Sequence, residues 1–262
     1  MTEKTVNKIA LIGAGNVSIH LTKALYKAGK NIIQIFGRNT DEGNSLANNV
    51  SSEFITDLSK LTTDADLYIV SVPDNVLSEV LDKIYIPNKL IVHTSGSSEM
   101  EILKNISDNY GVFYPLQTFT KTKKIDFQNI PVCIEANNKA NFDLLFELAK
   151  CISKDVKIIN SKQRTILHIA AVFACNFSNY FYSIADEILE KHDLSFDFIK
   201  PLIQETAQKI LNHKPKEAQT GPAKRKDYQT IETHLKALSK FPEFKDIYEI
   251  LSKKIINHNI KK

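Results

Sequence analysis

Cysteine is scarce and nowhere clustered: the 262-residue chain has three, Cys133, Cys151 and Cys175, with no C-x-x-C spacing. An odd count without metal-ligand spacing excludes a disulfide framework and a cysteine-built zinc site. All three lie in apolar runs, so reduced, buried thiols in a cytoplasmic protein are expected. A dominant charge sign is lacking too. The formal net charge is +4, and part of it comes from Lys253, Lys254 and the terminal Lys261 and Lys262. No basic stripe with interleaved aromatics runs through the chain, which argues against a nucleic-acid partner. The opening MTEKTVNKIALIG has no signal-peptide layout, because its apolar run is short and ends in glycines. Internal repeats and low-complexity segments are missing. One stretch, 165–185, carries no formal charge and is long enough to cross a bilayer. His168, Asn176, Ser178 and Asn179 would be costly there and no second span exists, so it is read as a buried central helix and no membrane partner is expected.

What is present is a core-forming sequence, 43% hydrophobic and 24% charged, ordinary for a globular protein. Short runs rich in Ile, Leu and Val predict strands at 8–12, 32–36, 54–56, 67–72, 90–93, 112–114, 132–135 and 156–159. Amphipathic stretches such as 18–28 and 76–84 fall between them. Alternation of this kind means βαβ units and a mostly parallel, doubly wound sheet. Beyond about residue 160 strand signals stop, and helices are predicted at 162–191, 195–213, 228–240 and 242–258. The expected fold is α/β, with a dinucleotide-binding domain over 1–160 and an all-helical domain over 161–262.

KIALIGAGNVSIHLTKAL reads as strand, tight turn and helix. Gly13 and Gly15 match the first two glycines of G-x-G-x-x-G, the first for the turn and the second for close approach of a pyrophosphate. The helix start at Asn16 and Val17 adds N–H groups and partial positive charge. Ser18 takes the third, packing position. A purely structural turn is the alternative. The second strand ends in Arg38 and Asn39, where an NAD enzyme usually places an acid for the ribose hydroxyl. A guanidinium suits a 2′-phosphate, so NADP(H) is favoured as cofactor; the other reading makes Arg38 a surface residue and Asp41 the ribose ligand. The fourth strand runs into Val72 and Pro73, with Asp74 as a cap for the next helix. The fifth runs into His93, Thr94, Ser95, Gly96 and Ser97. Both loops should pass over the cofactor at the sheet's carboxyl edge, Thr94 near the nicotinamide and Ser95 and Gly96 near a substrate, unless the latter is a plain Ser/Gly turn.

GAGNVS, SVPDNVL, HTSGS, YPLQTF, LHIAAVFACNFSNYF and GPAKRKDYQTIETHL occur in the order seen in a Rossmann-like oxidoreductase family with a C-terminal helical domain of unknown function. That family resembles deazaflavin-dependent NADP oxidoreductases in its first half and the 6-phosphogluconate and 3-hydroxyisobutyrate dehydrogenase group in its second. The resemblance covers nearly the whole chain, and it implies a helical dimerisation domain, hence a homodimer. Two departures stand out. Tyr114 replaces an expected His before Pro-Leu-Gln, which weakens proton transfer at that strand. Val172 stands where the hydroxyacid dehydrogenases carry a catalytic Lys, with Asn176 at the position of their Asn.

At 100° per residue, His168 nearly eclipses Asn179, with Asn176 roughly 80° away. His168 and Asn176 are therefore candidate catalytic residues, against the alternative of a satisfied core histidine. Asp227, Thr230 and His234 share one face of the third predicted helix. That face is expected to look into a substrate cleft, with Arg225 holding an anionic group; pinning a domain interface is the alternative. Together these residues point to NADP-dependent reduction of a small, anionic carbonyl or imine compound. The rival is a non-catalytic NADP-binding sensor or assembly module. A deazaflavin as redox partner would need room for a second ring system.

Overall fold

The computed structural model describes residues 5–258; Lys261 and Lys262 of the expected basic tail lie outside them. Eight strands form one sheet in the order β3-β2-β1-β4-β5-β6-β7-β8. They are β1 Lys8–Ile12, β2 Asn31–Phe36, β3 Glu53–Ile55, β4 Leu67–Val70, β5 Leu90–His93, β6 Asn109–Pro115, β7 Val132–Ala136 and β8 Val156–Ile158. Every neighbouring pair is parallel except β6 and β7. The apolar runs are continuous because both faces are covered. In β1, Ile9 and Leu11 join the core on one face, with Leu21, Leu25 and Leu145. Ala10 and Ile12 join the other, with Leu77 and Leu81. Each fully buried Leu or Ile contributes about 2 kcal/mol by leaving water.

Helices α1 Asn16–Lys27, α2 Thr40–Asn49, α3 Asp74–Leu81 and α4 Lys139–Ile152 flank the sheet. In α1 the buried positions are Ser18, Leu21, Thr22 and Leu25, the i, i+3, i+4, i+7 stripe of a helix packed on one side. Of the cysteines only Cys133 is buried; Cys151 and Cys175 are exposed. The expectation of three buried thiols fails because an apolar neighbourhood in sequence does not fix which face of a helix a residue takes.

By compactness the chain divides between Cys175 and Asn176. Residues 161–175, assigned from sequence to the helical part, belong to the first unit, because Ser161 and Arg164 are bonded into the sheet. The long predicted helix is α5 Ser161–Ala171, a π-helical turn Val172–Phe177, and α6 Ser178–Glu190. The wider i→i+5 turn breaks the 100° count, so the inferred eclipse of His168 and Asn179 does not hold. The second unit continues with α7 Lys200–Asn212, the single turns α8 Pro215–Ala218 and α9 Pro222–Arg225, α10 Tyr228–Ala237 and α11 Pro242–His258. Gly221, at φ +101°, and Pro222 open a new turn; the preceding helix had already ended. This unit buries little: Ala223 and Ile231 are its buried apolar side chains among the described residues, while Tyr180, Leu202, Leu211 and Ile250 are exposed. The run 165–185 is accordingly not a buried helix. No helix of the described residues is long and apolar enough to cross a membrane.

Candidate active site

The turn after β1 opens on a cavity of about 780 Å³, lined by Gly13, Gly15, Arg38, Asn39, Val72 and Pro73 among others. Gly13 has φ +124°, and a Cβ there would lie 2.1 Å from the Ser71 carbonyl oxygen. Its N–H donates to the Phe36 carbonyl at 2.8 Å. Three strand ends therefore converge on a residue without a side chain. Gly15 differs: a Cβ added there meets nothing within 4 Å, so it would project into open space. That space lies at the start of α1, whose first-turn N–H groups, including those of Asn16 and Val17, have no intrahelical acceptor. Asn16 and Val17 do not line the cavity with their side chains. Asn16 Nδ2 donates to the Phe119 carbonyl at 3.0 Å, and Val17 packs on the core. Ser18 is more than a tolerated substitute for glycine, since its hydroxyl donates to the Gly13 carbonyl at 2.5 Å and locks the turn.

At the end of β2, Arg38 is exposed and makes no hydrogen bond or ion pair among the described residues. Asn39 caps α2, its side chain accepting from the N–H groups of Asp41 and Glu42. Asp41 lies outside this cavity, and Glu42, which lines it, is paired with Lys121 at 2.5 Å. Lys83 and Ser59 also line the cavity. Neither carries a signal of its own in the sequence. The donor set, an open glycine, a helix start and a guanidinium, fits a phosphorylated dinucleotide.

The carboxyl end of β5 is tightly organised. Thr94 N–H continues the sheet, donating to the Val70 carbonyl. The Ser95 hydroxyl accepts from Ser97 and Ser98 N–H at 3.1 and 2.9 Å. Asp74 is the first residue of α3, with Pro73 at the cap and no side-chain cap bond. Its carboxylate instead accepts from the Ser97 hydroxyl, tying the β4 and β5 loops together. Thr94, Ser95 and Gly96 do not line the cavity described above.

His93 is fully buried. Its Nδ1 accepts from Ser95 N–H at 3.1 Å, so Nε2 carries the proton and faces the Glu99 carbonyl at 3.3 Å. Burial, then the nearby Arg164 guanidinium, push its pKa down to about 4. The unfolded chain takes up this proton near pH 6.5 and the folded one only near pH 4. The stability His93 secures is thus complete above pH 6.5 and lost as pH falls to about 4, on the order of 3 kcal/mol. Urea unfolding between pH 7 and 4 should show that slope, and His93→Gln should flatten it; equal slopes would refute the assignment.

Gly96 makes room for a histidine. A Cβ there would lie 2.6 Å from His168 Nδ1 and 3.0 Å from the Tyr114 hydroxyl. Tyr114 Oη and His168 Nδ1 are 3.2 Å apart, their rings edge to face. Tyr114 was discounted from sequence for the imidazole it replaces, yet it is the direct partner of the imidazole on α5. Desolvation pushes its hydroxyl up to about 12, so it stays protonated. One turn before His168, Arg164 is 1% exposed. It donates to Glu135 on β7 at 2.6 Å, to the Ser98 carbonyl at 2.5 Å and to the Ser161 hydroxyl at 3.1 Å. Ser161 in turn donates to Glu135 through its backbone and hydroxyl. The network fastens α5 to the sheet and holds the Ser95–Ser98 loop beneath His168.

The remaining candidates lie in the second unit. Asn176 is exposed within the π turn. Asp227 caps α10, accepting from the N–H and hydroxyl of Thr230 at 3.1 and 2.8 Å, bonds that hold its carboxyl below the usual range. His234 Nδ1 is 2.8 Å from the Tyr248 hydroxyl on α11. Asp227 and His234, two members of the polar face expected to look into a cleft, thus each have a partner within their own unit. Arg225 is exposed and forms no ion pair among the described residues.

Residues 8–96 match the family model for NADP oxidoreductases, coenzyme F420-dependent, and residues 130–255 match a domain of unknown function. A Bacteroides fragilis protein of known structure, provisionally described as an NADP oxidoreductase, is 43% identical, with 96% of this chain and 98% of that one covered and a TM-score of 0.91. The chain belongs to this oxidoreductase family. A Thermotoga maritima protein is 22% identical, with 97% and 100% covered and a TM-score of 0.72. An imine reductase from Myxococcus stipitatus, solved with NADP+, is 15% identical, with 95% and 92% covered and a TM-score of 0.62. At those identities the likeness is one of fold. No curated protein matches the chain.

Proposed function

We propose that the chain is an NADPH-dependent reductase of a small carbonyl or imine compound, with the coenzyme in the cavity above Gly13 and Gly15. The observation that carries this reading is Arg38, an unpaired guanidinium where an NAD enzyme would place an acid. The bound coenzyme supplies a hydride. His168 is the group that meets the substrate. With the Tyr114 hydroxyl donating to Nδ1, the remaining ring N–H sits on Nε2, placed to donate a hydrogen bond to a substrate oxygen or nitrogen. Ser95 and Gly96 form the floor under that imidazole. Thr94, Asn16 and Val17 serve the coenzyme through backbone placement. Asn176 and Arg225 are exposed polar side chains of the second unit, where Asp227 and His234 have bonded partners. The exposed apolar helices of that unit support assembly into a homodimer, and the reduced thiols support a cytoplasmic location.

Melting in the presence of NADPH or NADH tests the reading. NADPH at about 100 times its dissociation constant stabilises by about 2.7 kcal/mol, and Arg38→Ala should cut the NADPH shift while sparing any shift with NADH. A carbonyl and imine screen then follows, with His168→Ala abolishing turnover but not coenzyme binding. No shift with either nucleotide would end the proposal. Binding without turnover, with a change of oligomer on adding NADPH, would favour a sensor or assembly protein.

A further inference from the structure

A second cavity, of about 750 Å³, lies between α1, α4 and the segment joining β6 to β7, within the size range of small-molecule sites. Its floor is apolar, with Ala24, Ala28, Ile125, Phe127 and Ile152. Its rim is cationic. Lys23 and Lys27 stand one turn apart on α1, and Lys121, Lys123 and Lys124 come from the joining segment. The lining includes a single acid, Asp126, which is engaged in the wall: its carboxylate accepts from Gln128 N–H at 3.2 Å and from the Asn129 amide at 2.9 Å.

Several lysines elsewhere on this surface are paired with a nearby acid, as in Lys83–Glu79, Lys139–Asp143, Lys236–Glu232 and Lys253–Glu249. Around this cavity Lys121 alone has an ion pair, to Glu42. Lys23, Lys27, Lys123 and Lys124 have none among the described residues. Unpaired like charges around one apolar concavity repel one another, and an anion seated among them removes the repulsion. The joining segment is fastened in place. Asn16 donates to the Phe119 carbonyl, and the His20 ring bonds the Thr120 carbonyl at 2.9 Å and stacks on Phe119 at 5.3 Å. The backbone entering the lysine-rich rim is thus anchored to α1 at Phe119 and Thr120.

We propose that this cavity is a second ligand site, taking a small organic polyanion with an apolar body, separate from the dinucleotide cavity. Fluorescence titration of the full chain with pyrenetetrasulfonate, a flat hydrocarbon bearing sulfonates, tests it at about 0.1 M salt. Saturable binding is expected, weakened about tenfold or more in K123E/K124E and changed less than about twofold in Arg38→Ala and Lys236→Glu. Both rim lysines are exposed, and circular dichroism checks the fold; Lys27→Glu, on the opposite rim, repeats the test by itself. Non-saturable binding, no effect of the rim variants, or an equal loss in Lys236→Glu would overturn the proposal by reducing it to bulk charge. Loss in Arg38→Ala alone would overturn it by placing the probe in the first cavity.

Discussion

Gly15→Val should fold like the parent and lose NADPH, whereas Gly13→Ala, the smaller change, should damage the fold itself. At Gly15 the backbone is in an ordinary extended conformation, φ −80° and ψ −173°, and an added Cβ meets no atom within 4 Å. Stability should stay within about 0.5 kcal/mol. The added methyls occupy the space proposed for the pyrophosphate, so affinity should fall on the order of 100-fold, about 2.7 kcal/mol. At Gly13 the positive φ is unfavourable for alanine, and the methyl would collide with the Ser71 backbone. The end of β4 must move, at a cost of roughly 3 kcal/mol or more. Urea unfolding and NADPH titration of the two variants check this directly. If both lose the fold, or both keep the coenzyme, the division of labour between the glycines is wrong.

Arg164→Met should be about as destructive as Gly13→Ala, for an electrostatic reason. Removing the guanidinium leaves the Glu135 carboxylate, 16% exposed, without its cation, and the Ser98 carbonyl without a donor. Breaking a buried pair from one side costs about 3–5 kcal/mol. Arg164→Met with Glu135→Leu removes both charges, and most of the loss should be regained, because the desolvation cost disappears with the charges. The exposed pair Lys139–Asp143 is the control, worth about 0–1 kcal/mol. Denaturant midpoints of the single and double variants decide the matter: equal losses would mean that shape, not charge pairing, holds α5 to the sheet.

The central strands β1, β2, β4 and β5 were legible because each is a nearly continuous apolar run bounded by polar turns, as burial on both faces demands, whereas the short edge strands EFI and VKI followed from the alternation around them. The glycine turn and Arg38 were legible because their positions follow from the strand–turn–helix order. What could not be read is tertiary. Glu135 and Arg164 are far apart in sequence, and an acid at the end of VCIEA gave only a hint that a cation must meet it. Tyr114 was judged by the residue it replaces, while its partner on α5 could not be known. Asp227 is legible as the N-cap of α10, and its bond from Thr230 N–H agrees, but the Tyr248 partner of His234 lies on another helix and leaves no trace in the local sequence. The π turn has no signature in VFACNF, whose small and apolar residues suit an ordinary helix equally well.

The strand order has a consequence for how the chain is made. β1 lies in the sheet's interior, paired with β2 on one side and β4 on the other. Synthesis delivers β2 directly after α1, but β4 only after α2 and β3 have left the ribosome. Over that interval β1 presents an unpaired edge of apolar residues, the kind of edge that recruits other chains. The growing polypeptide is therefore most exposed to misassembly before Leu67–Val70 emerges. Once it does, β5 and β6 add beside it in order of synthesis, and the vulnerable edge moves outward with them.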